Sequence, residues 1–423
     1  MSTAAPMPHA DRLHSLDALR AFALLLGIFF HGAAGYVENF PSAFWPWREP
    51  SSATLGVYFF VSHIFRMSLF FMLAGFFGRL VIERRGMRAF ITDRSRRILL
   101  PLVAGLPIVL VSTGLLGGLG TFLGGGLDAL TMLQPAAPPA GGAAPPAQST
   151  FPWIHLWFLY YLLIFYAGSL VLRAACDAWL DRSGHLRRAL DVIVRFALSG
   201  AWGAALIGLP LAAYYATLEG WSSWTGLPAP LALLPQASSL VGYGTAFGFG
   251  WLAHRQMNRL LALEHQWFVF LPLAVALSTV ALYLGGTTPR FQPTLEGRDL
   301  LVYCSVYFVA MWCWIFGLTG AAVRFVSRES PLRRYVADSS YWLYLMHLPV
   351  LAFFAGLLHE VPLHWTIKYP MQVAGTLVVL FVSYRYLVRP TYIGAILNGR
   401  RYPRGVVPLS PEPAPTTVTT ILP

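Results

Sequence analysis

Five short stretches of this chain carry the residues whose types and spacing can do chemistry. The first is LDALRAFALLLGIFFHGAAGYV, Leu16 to Val37, an apolar run whose only acidic, basic or imidazole side chains are Asp17, Arg20 and His31. At ~1.5 Å rise per residue, a helix separates Asp17 from His31 by roughly 21 Å. The second is HIFRM, where His63 and Arg66 stand three apart and share one helix face. The third is DRSRRILLP, Asp93 to Pro101, with Arg94, Arg96 and Arg97 crowded at the start of an apolar run. The fourth is WIHLWFLYYL, with His155 near its beginning, and the fifth is DSSYWLYLMHLPV, with His347 well inside it.

The elements that must position these groups are membrane helices. Of 423 residues, 56% are hydrophobic and 11% charged, and the mean hydropathy is +0.58. A soluble domain carries about 25% charged residues, so the composition specifies an all-α, polytopic integral membrane protein. The net charge of +12 falls in short loops between apolar spans, not on one basic face, which argues against a nucleic-acid partner. Cys176, Cys304 and Cys313 have no paired spacing, so neither a disulfide framework nor a metal site is expected. A cleavable signal is formally readable at Arg12 and HGAAG, but the run is long and carries polar groups, which favours a retained anchor helix.

Ten spans are expected, at about 17–37, 55–82, 97–118, 153–175, 192–217, 236–255, 267–285, 299–326, 339–358 and 367–388. With the N-terminus inside, twenty-five of the thirty Lys and Arg residues fall on the cytoplasmic side. Arg48, Arg290, Arg298 and Lys368 fall outside, and Arg66 falls within a span. Both termini are therefore expected to be cytoplasmic. The chain divides into a cytoplasmic tail over 1–15, a transmembrane domain over 16–388 and a disordered cytoplasmic tail over 389–423. A Gly- and Pro-rich external loop is expected over 119–152, a flexible cover without chemistry of its own.

An ionisable side chain in hydrocarbon is costly and by default marks a functional site, and each candidate has a plainer reading beside it. Arg66 is a functional cation or a structural ion-pair partner; snorkelling is poor at its depth. His63 is catalytic or a satisfied core histidine. Arg94 and Arg97 bind phosphates in a bidentate manner or act as topology determinants. His155 is a site residue or an inert interfacial one, flanked by Trp153 and Trp157 of an aromatic belt. His347 is a site residue or a buried hydrogen-bond partner of a neighbouring helix.

Taken in order, LDALR with His31 beyond it, FFMLAGFF, RSRRILLP, HLWFL and SSYWLYLMH resemble the acyltransferase 3 superfamily of ten-helix membrane enzymes over about Leu16 to Val388. LLGIFFH and HIFRMSLFF are most similar to its glucan biosynthesis protein C branch, which succinylates osmoregulated periplasmic glucans. One departure is visible: Ala74-Gly75 stands where many members have Ser-Gly.

The resemblance implies an O-acyltransferase of the bacterial inner membrane. Its donor is acyl-CoA, succinyl-CoA or acetyl-CoA, taken from the cytoplasm without a tightly bound cofactor. Its acceptor is a hydroxyl of a periplasmic glucan or other polysaccharide. Partners then include membrane lipid and glucan-synthesis proteins. His31 corresponds to the important histidine of the first helix, Arg20 to the arginine eleven residues before it, and Arg94 with Arg97 to the Arg-x-x-Arg pair. A hydroxyl is a poor nucleophile near neutral pH, and a histidine suits the removal of its proton. Arg66 then stabilises the oxyanion or binds a succinyl carboxylate, and Arg20 either helps Arg94 and Arg97 hold the coenzyme A phosphates or forms a structural pair with Asp17. The competing readings are an O-acetyltransferase acting on exopolysaccharide or O-antigen, and a transporter of a polar lipid or sugar. The second is weakened because no repeat symmetry is visible.

Overall fold

The structure, a computed structural model, describes residues 9–133, 151–328, 330–398 and 402. Among them the elements are helical. They run α1 His9–Ala33, α2 Ala53–Arg94, α3 Leu100–Ala129, α4 Trp157–Ala175, α5 His185–Ala197, α6 Gly203–Tyr215 and α7 Ala237–Ala253. The series continues with α8 Met257–Leu261, α9 Trp267–Gly285, α10 Gly297–Phe325, α11 Pro331–His359, α12 Trp365–Ser383 and α13 Tyr392–Asn398.

Seven helical stretches among the described residues are long and apolar enough to cross a membrane. One of them, Ala53–Leu133, contains both the second and third expected spans. The chain there stays helical through a break at Gly86 (φ 78°, ψ 171°) and a π-helical turn at Ser95–Leu99. The positive φ at Gly86 suits a residue without a Cβ, so the break falls where the sequence tolerates it. The fifth expected span begins later than its hydropathy indicated. Its first residues belong to the separate amphipathic α5, and the apolar part is α6, with 13 residues. At ~1.5 Å per residue α6 reaches about 20 Å, less than the ~30 Å hydrocarbon core.

Three further expectations change. The N-terminal tail expected over 1–15 is helical from His9 onward, with 1–8 outside the described residues. Beyond Val388 the chain forms α13, and Arg400, Arg401 and the last residues lie outside the described residues. The loop expected over 119–152 is helix up to Ala129 and a 3-10 turn up to Leu133, while 134–150 lie outside the described residues. The glycines read there as flexibility are a packing surface. A Cβ on Gly120 would come within 2.1 Å of the Phe353 carbonyl oxygen, and one on Gly356 within 2.5 Å of the Thr121 amide. Small residues let membrane helices approach backbone to backbone, where dispersion contacts hold them, and here they join α3 to α11.

The same device joins α2 to α7. A Cβ on Gly75 would meet the Phe247 carbonyl at 2.1 Å, and one on Gly250 the Met72 carbonyl at 1.8 Å. The Ala74 carbonyl accepts a hydrogen bond from Tyr166 at 3.0 Å. Ala74-Gly75, noted in the sequence for lacking a hydroxyl, thus carries helix packing. These close crossings hold α2 and α11 in place, and with α1 and α4 they supply most of the residues of the candidate site.

Candidate functional site

The site has two parts, a histidine–arginine cluster in the bundle interior and a cavity opening at its basic end. The cluster begins where α1 places His31 on the helix face turned toward α11. The His31 ring lies 5.2 Å from that of His347, and His347 lies 4.6 Å from His155. His347 and His155 are 3% and 5% exposed, and His31 is half-buried. The Nδ1 of His347 donates to the Tyr344 carbonyl at 2.6 Å, which leaves Nε2 as the nitrogen with the lone pair and no protein partner. Both ring nitrogens of His155 are buried without a partner. Among buried polar atoms such orphans are rare, and three of them converge here.

Arg66, 7% exposed, completes the cluster from α2. Its guanidinium carbon stands 4.2 Å above the Phe30 ring, whose edge meets His31 with centroids 5.1 Å apart. Gly27 makes room for it, because a Cβ there would come within 2.8 Å of Arg66 Nη1. Arg66 lies within electrostatic reach of His31, His63, His155 and His347. His63 stacks on Phe30 at 5.5 Å and donates Nε2–H toward the carbonyls of Thr225 at 2.8 Å and Leu227 at 3.2 Å. That arrangement satisfies Nε2 and orients the ring, with Nδ1 left as a buried orphan.

The cavity holds about 210 Å³ and is lined by Arg20, Arg94, Arg97, Asp338, Tyr341 and Tyr344, with Asn398 of α13 at its rim. Arg94 packs its guanidinium 4.9 Å above the Tyr166 ring, and its Nε is buried without a partner. Asp93 balances the charge, 3.2 Å from Arg97 and 3.7 Å from Arg94. The Ser95–Leu99 π turn carries Arg96 and Arg97, and the Tyr341 hydroxyl donates to the Arg97 carbonyl. A π turn is a common local device at functional sites, and here it aims Arg97 inward. Arg97 also borders a wider cavity of about 840 Å³, lined by Arg85, Arg88, Asp93, Arg96 and Tyr392. Arg20 pairs with Asp17 at 3.1 Å, both more than a third exposed, while it lines the cavity. An exposed pair of that kind is worth only about 0–1 kcal/mol, so it leaves Arg20 free to engage an anion.

The two parts nearly meet. Phe70, Leu24 and Tyr344 line the inner end of the cavity. Phe70 is four residues from Arg66 and Tyr344 three from His347, so roughly 4.5 to 6 Å of helix separates each pair. Tyr344 also donates its hydroxyl to the His155 carbonyl at 2.9 Å. The structure therefore brings Arg20, Arg94 and Arg97 to one cavity and His31, Arg66, His155 and His347 to one cluster, with His63 beside Phe30.

Two sequence readings change here. His155 is 5% exposed and packs against His347 in the bundle interior, so it is not a residue of the bundle surface. Trp153 and Trp157 are buried at 6% each and act as core, not as an aromatic belt. Sequence reasoning passed over Tyr341 and Tyr344, although they share one face with His347 at intervals of three. Asp338 was missed too; it accepts from the Tyr402 hydroxyl at 2.7 Å. Nothing in the sequence pointed to Asn398, beyond the last expected span.

Comparison with known proteins adds the following. The sequence model of the acyltransferase 3 family, described as an acyltransferase domain, matches residues 13–385. The chain is 30% identical over 107 residues to the "Glucans biosynthesis protein C" of Escherichia coli strain SMS-3-5 / SECEC and of strain K12. The same identity and length hold for that of Escherichia coli O139:H28 (strain E24377A / ETEC). Each match covers 25% of this chain and 26% of the relative, so the chain spans about a quarter of the length of these relatives. No solved structure matches the chain.

Proposed function

The chain belongs to the acyltransferase 3 family, matched over residues 13–385, and from that premise we propose that it is an O-acyltransferase of the bacterial inner membrane. It moves an acyl group, best read as succinyl, from cytoplasmic acyl-CoA to a hydroxyl of a periplasmic glucan. The observation that carries this reading is the arginine-lined cavity whose inner end stops one helical turn short of the buried histidine cluster. A volume of about 210 Å³ suits an extended arm more than a whole nucleotide, since pockets for drug-sized ligands run from about 300 Å³. The adjoining basic cavity, reached past Arg97, suits the nucleotide and its phosphates. Guanidinium groups bind phosphates with two parallel donors, the role assigned to Arg94 and Arg97, with Arg20 beside them.

These positions support the following acyl transfer to a hydroxyl. The thioester enters from the basic end with its carbonyl beyond Tyr344. The acceptor reaches the cluster from the opposite end. His31, the half-buried histidine, takes the hydroxyl proton as the C–O bond forms. The tetrahedral intermediate collapses with breakage of the C–S bond, and the proton passes to the thiolate, which leaves as free coenzyme A. His347, its ring 5.2 Å from that of His31 and its Nε2 without a protein partner, supports that proton's passage.

The test is mass spectrometry of periplasmic glucans and surface polysaccharides from cells with the wild-type chain, no copy, or His31→Ala. A succinate increment on glucans that requires His31 supports the whole reading. Acetyl on a surface polysaccharide keeps the chemistry and replaces donor and acceptor. No acyl difference in any fraction, with substrate moved across the membrane unchanged, supports the carrier reading instead.

A further inference from the structure

Arg66 is a cation in the interior of a membrane bundle with no counter-ion. It is 7% exposed, no carboxylate among the described residues lies within ion-pair distance, and its buried Nε has no hydrogen-bond partner. The titratable groups in its electrostatic reach are the four histidines and the phenols of Tyr58, Tyr243 and Tyr344, none of them a carboxylate. The face of Phe30 supports the guanidinium at 4.2 Å, and cation–π attraction is a small compensation for lost hydration. Isolated charges taken from water are strongly disfavoured unless something pairs them. The surroundings are also built around this side chain: Gly27 has no Cβ, and any Cβ would stand 2.8 Å from Nη1. A bundle that preserves an unpaired cation by such means leaves the counter-charge to the ligand.

We propose that Arg66 is the specificity-determining residue of this reaction and selects the donor by pairing with a carboxylate at the far end of the acyl group. The inference rests on the acyl-transfer reading above and assigns the residue that selects its donor. In the reaction the ester C–O bond forms, the thioester C–S bond breaks, and the hydroxyl proton ends on the thiol. Arg66 exchanges no proton or electron; it pairs with the acyl carboxylate before, during and after transfer. An acyl group without that carboxylate, such as acetyl, leaves the guanidinium unpaired. The phosphates of the donor are held elsewhere, at Arg94 and Arg97, so discrimination at Arg66 is confined to the acyl end.

The experiment uses the full chain in lipid nanodiscs, with thiol release from succinyl-CoA and from acetyl-CoA measured separately over a glucan oligosaccharide acceptor. Arg66→Gln should lower kcat/KM for succinyl-CoA by about 10- to 100-fold relative to acetyl-CoA, the worth of a charge-assisted hydrogen bond. Gly27→Ala, which displaces the guanidinium without removing it, should shift the same ratio in the same direction and decides the matter if Arg66→Gln fails to fold. Equal losses with both donors overturn the proposal and leave Arg66 as oxyanion donor or structural cation. A wild-type chain that uses acetyl-CoA and not succinyl-CoA overturns the proposal while keeping acyl transfer. Turnover of neither donor overturns the acyl-transfer reading and the proposal together.

Discussion

At the scale of single residues, charge in an apolar run was legible and aromatic polarity was not. His31, Arg66 and His347 stand out because an ionisable group in hydrocarbon demands a reason. Tyr341 and Tyr344 escaped notice because tyrosine is common near membrane interfaces, and only the fold reveals that both line the cavity, Tyr341 bonded to the Arg97 carbonyl and Tyr344 to that of His155. The basic cluster divides into distinct roles once folded: Arg94 and Arg97 turn inward around Asp93, while Arg96 faces the wider cavity. The double variant Arg94→Gln, Arg97→Gln should raise the Kd for acyl-CoA by at least about 100-fold, since two charge-assisted bonds at about 1.5–3 kcal/mol each are lost. Calorimetry on the purified protein checks this, and unchanged affinity with an altered topology would assign the pair to membrane orientation alone. Tyr344→Phe keeps the ring and removes the bond to the His155 carbonyl. Its kcat should fall several-fold with the KM for acyl-CoA unchanged, which steady-state kinetics separates.

At the scale of elements, the apolar periodicity located the helices, and the meaning of glycine was misread. In water a Gly-rich stretch signals a loop; between membrane helices it signals close packing. The stretch after Gly118 shows both grammars in one segment, since Gly120 abuts the Phe353 backbone while a Cβ on Gly118 would meet nothing within 4 Å. Gly120→Leu should therefore lower the melting temperature in detergent sharply, because overpacking costs about 1–3 kcal/mol even where side chains can adjust and here the obstacle is backbone. Gly118→Leu, two residues away, should leave it unchanged or slightly raised, as glycine in a helix costs up to ~1 kcal/mol. Equal behaviour of the two variants would show that α3 and α11 do not cross as described. The connection through Ser95–Leu99 was invisible in the sequence for a different reason. Hydropathy marks where apolar runs pause, and a π turn continues the helix through such a pause while rotating Arg97 toward the cavity.

At the scale of the whole molecule, charge asymmetry and site geometry make the same demand. The cations expected outside are partly neutralised: Lys368 donates to Glu49 at 2.6 Å and to the His359 carbonyl at 2.9 Å, and is 4% exposed. Arg48 is tied to the carbonyls of Phe40 and Val37 at 2.6 and 2.9 Å. Both fasten the segment between α1 and α2 over that end, where they serve structure without contradicting the orientation read from the remaining basic residues. Removing one partner of a buried pair costs about 3–5 kcal/mol, so Lys368→Met should destabilise the protein by several kcal/mol in denaturant titration, without altering acyl-CoA affinity. The arginine cavity opens at the basic end and stops at Tyr344, while His31 lies toward the other end, two turns beyond Leu24. On the proposed acyl transfer, a donor and an acceptor entering from opposite ends make the reaction vectorial. In vesicles with the chain inserted in one known orientation, acyl-CoA should be consumed only when supplied on the side of the basic loops, and labelled acyl groups should appear on oligosaccharide enclosed on the opposite side. Transfer that proceeds equally with both substrates on one side would mean that the histidine cluster is reached through the arginine cavity itself, and the inner end at Tyr344 would then have to open for an acceptor as well as for a thioester.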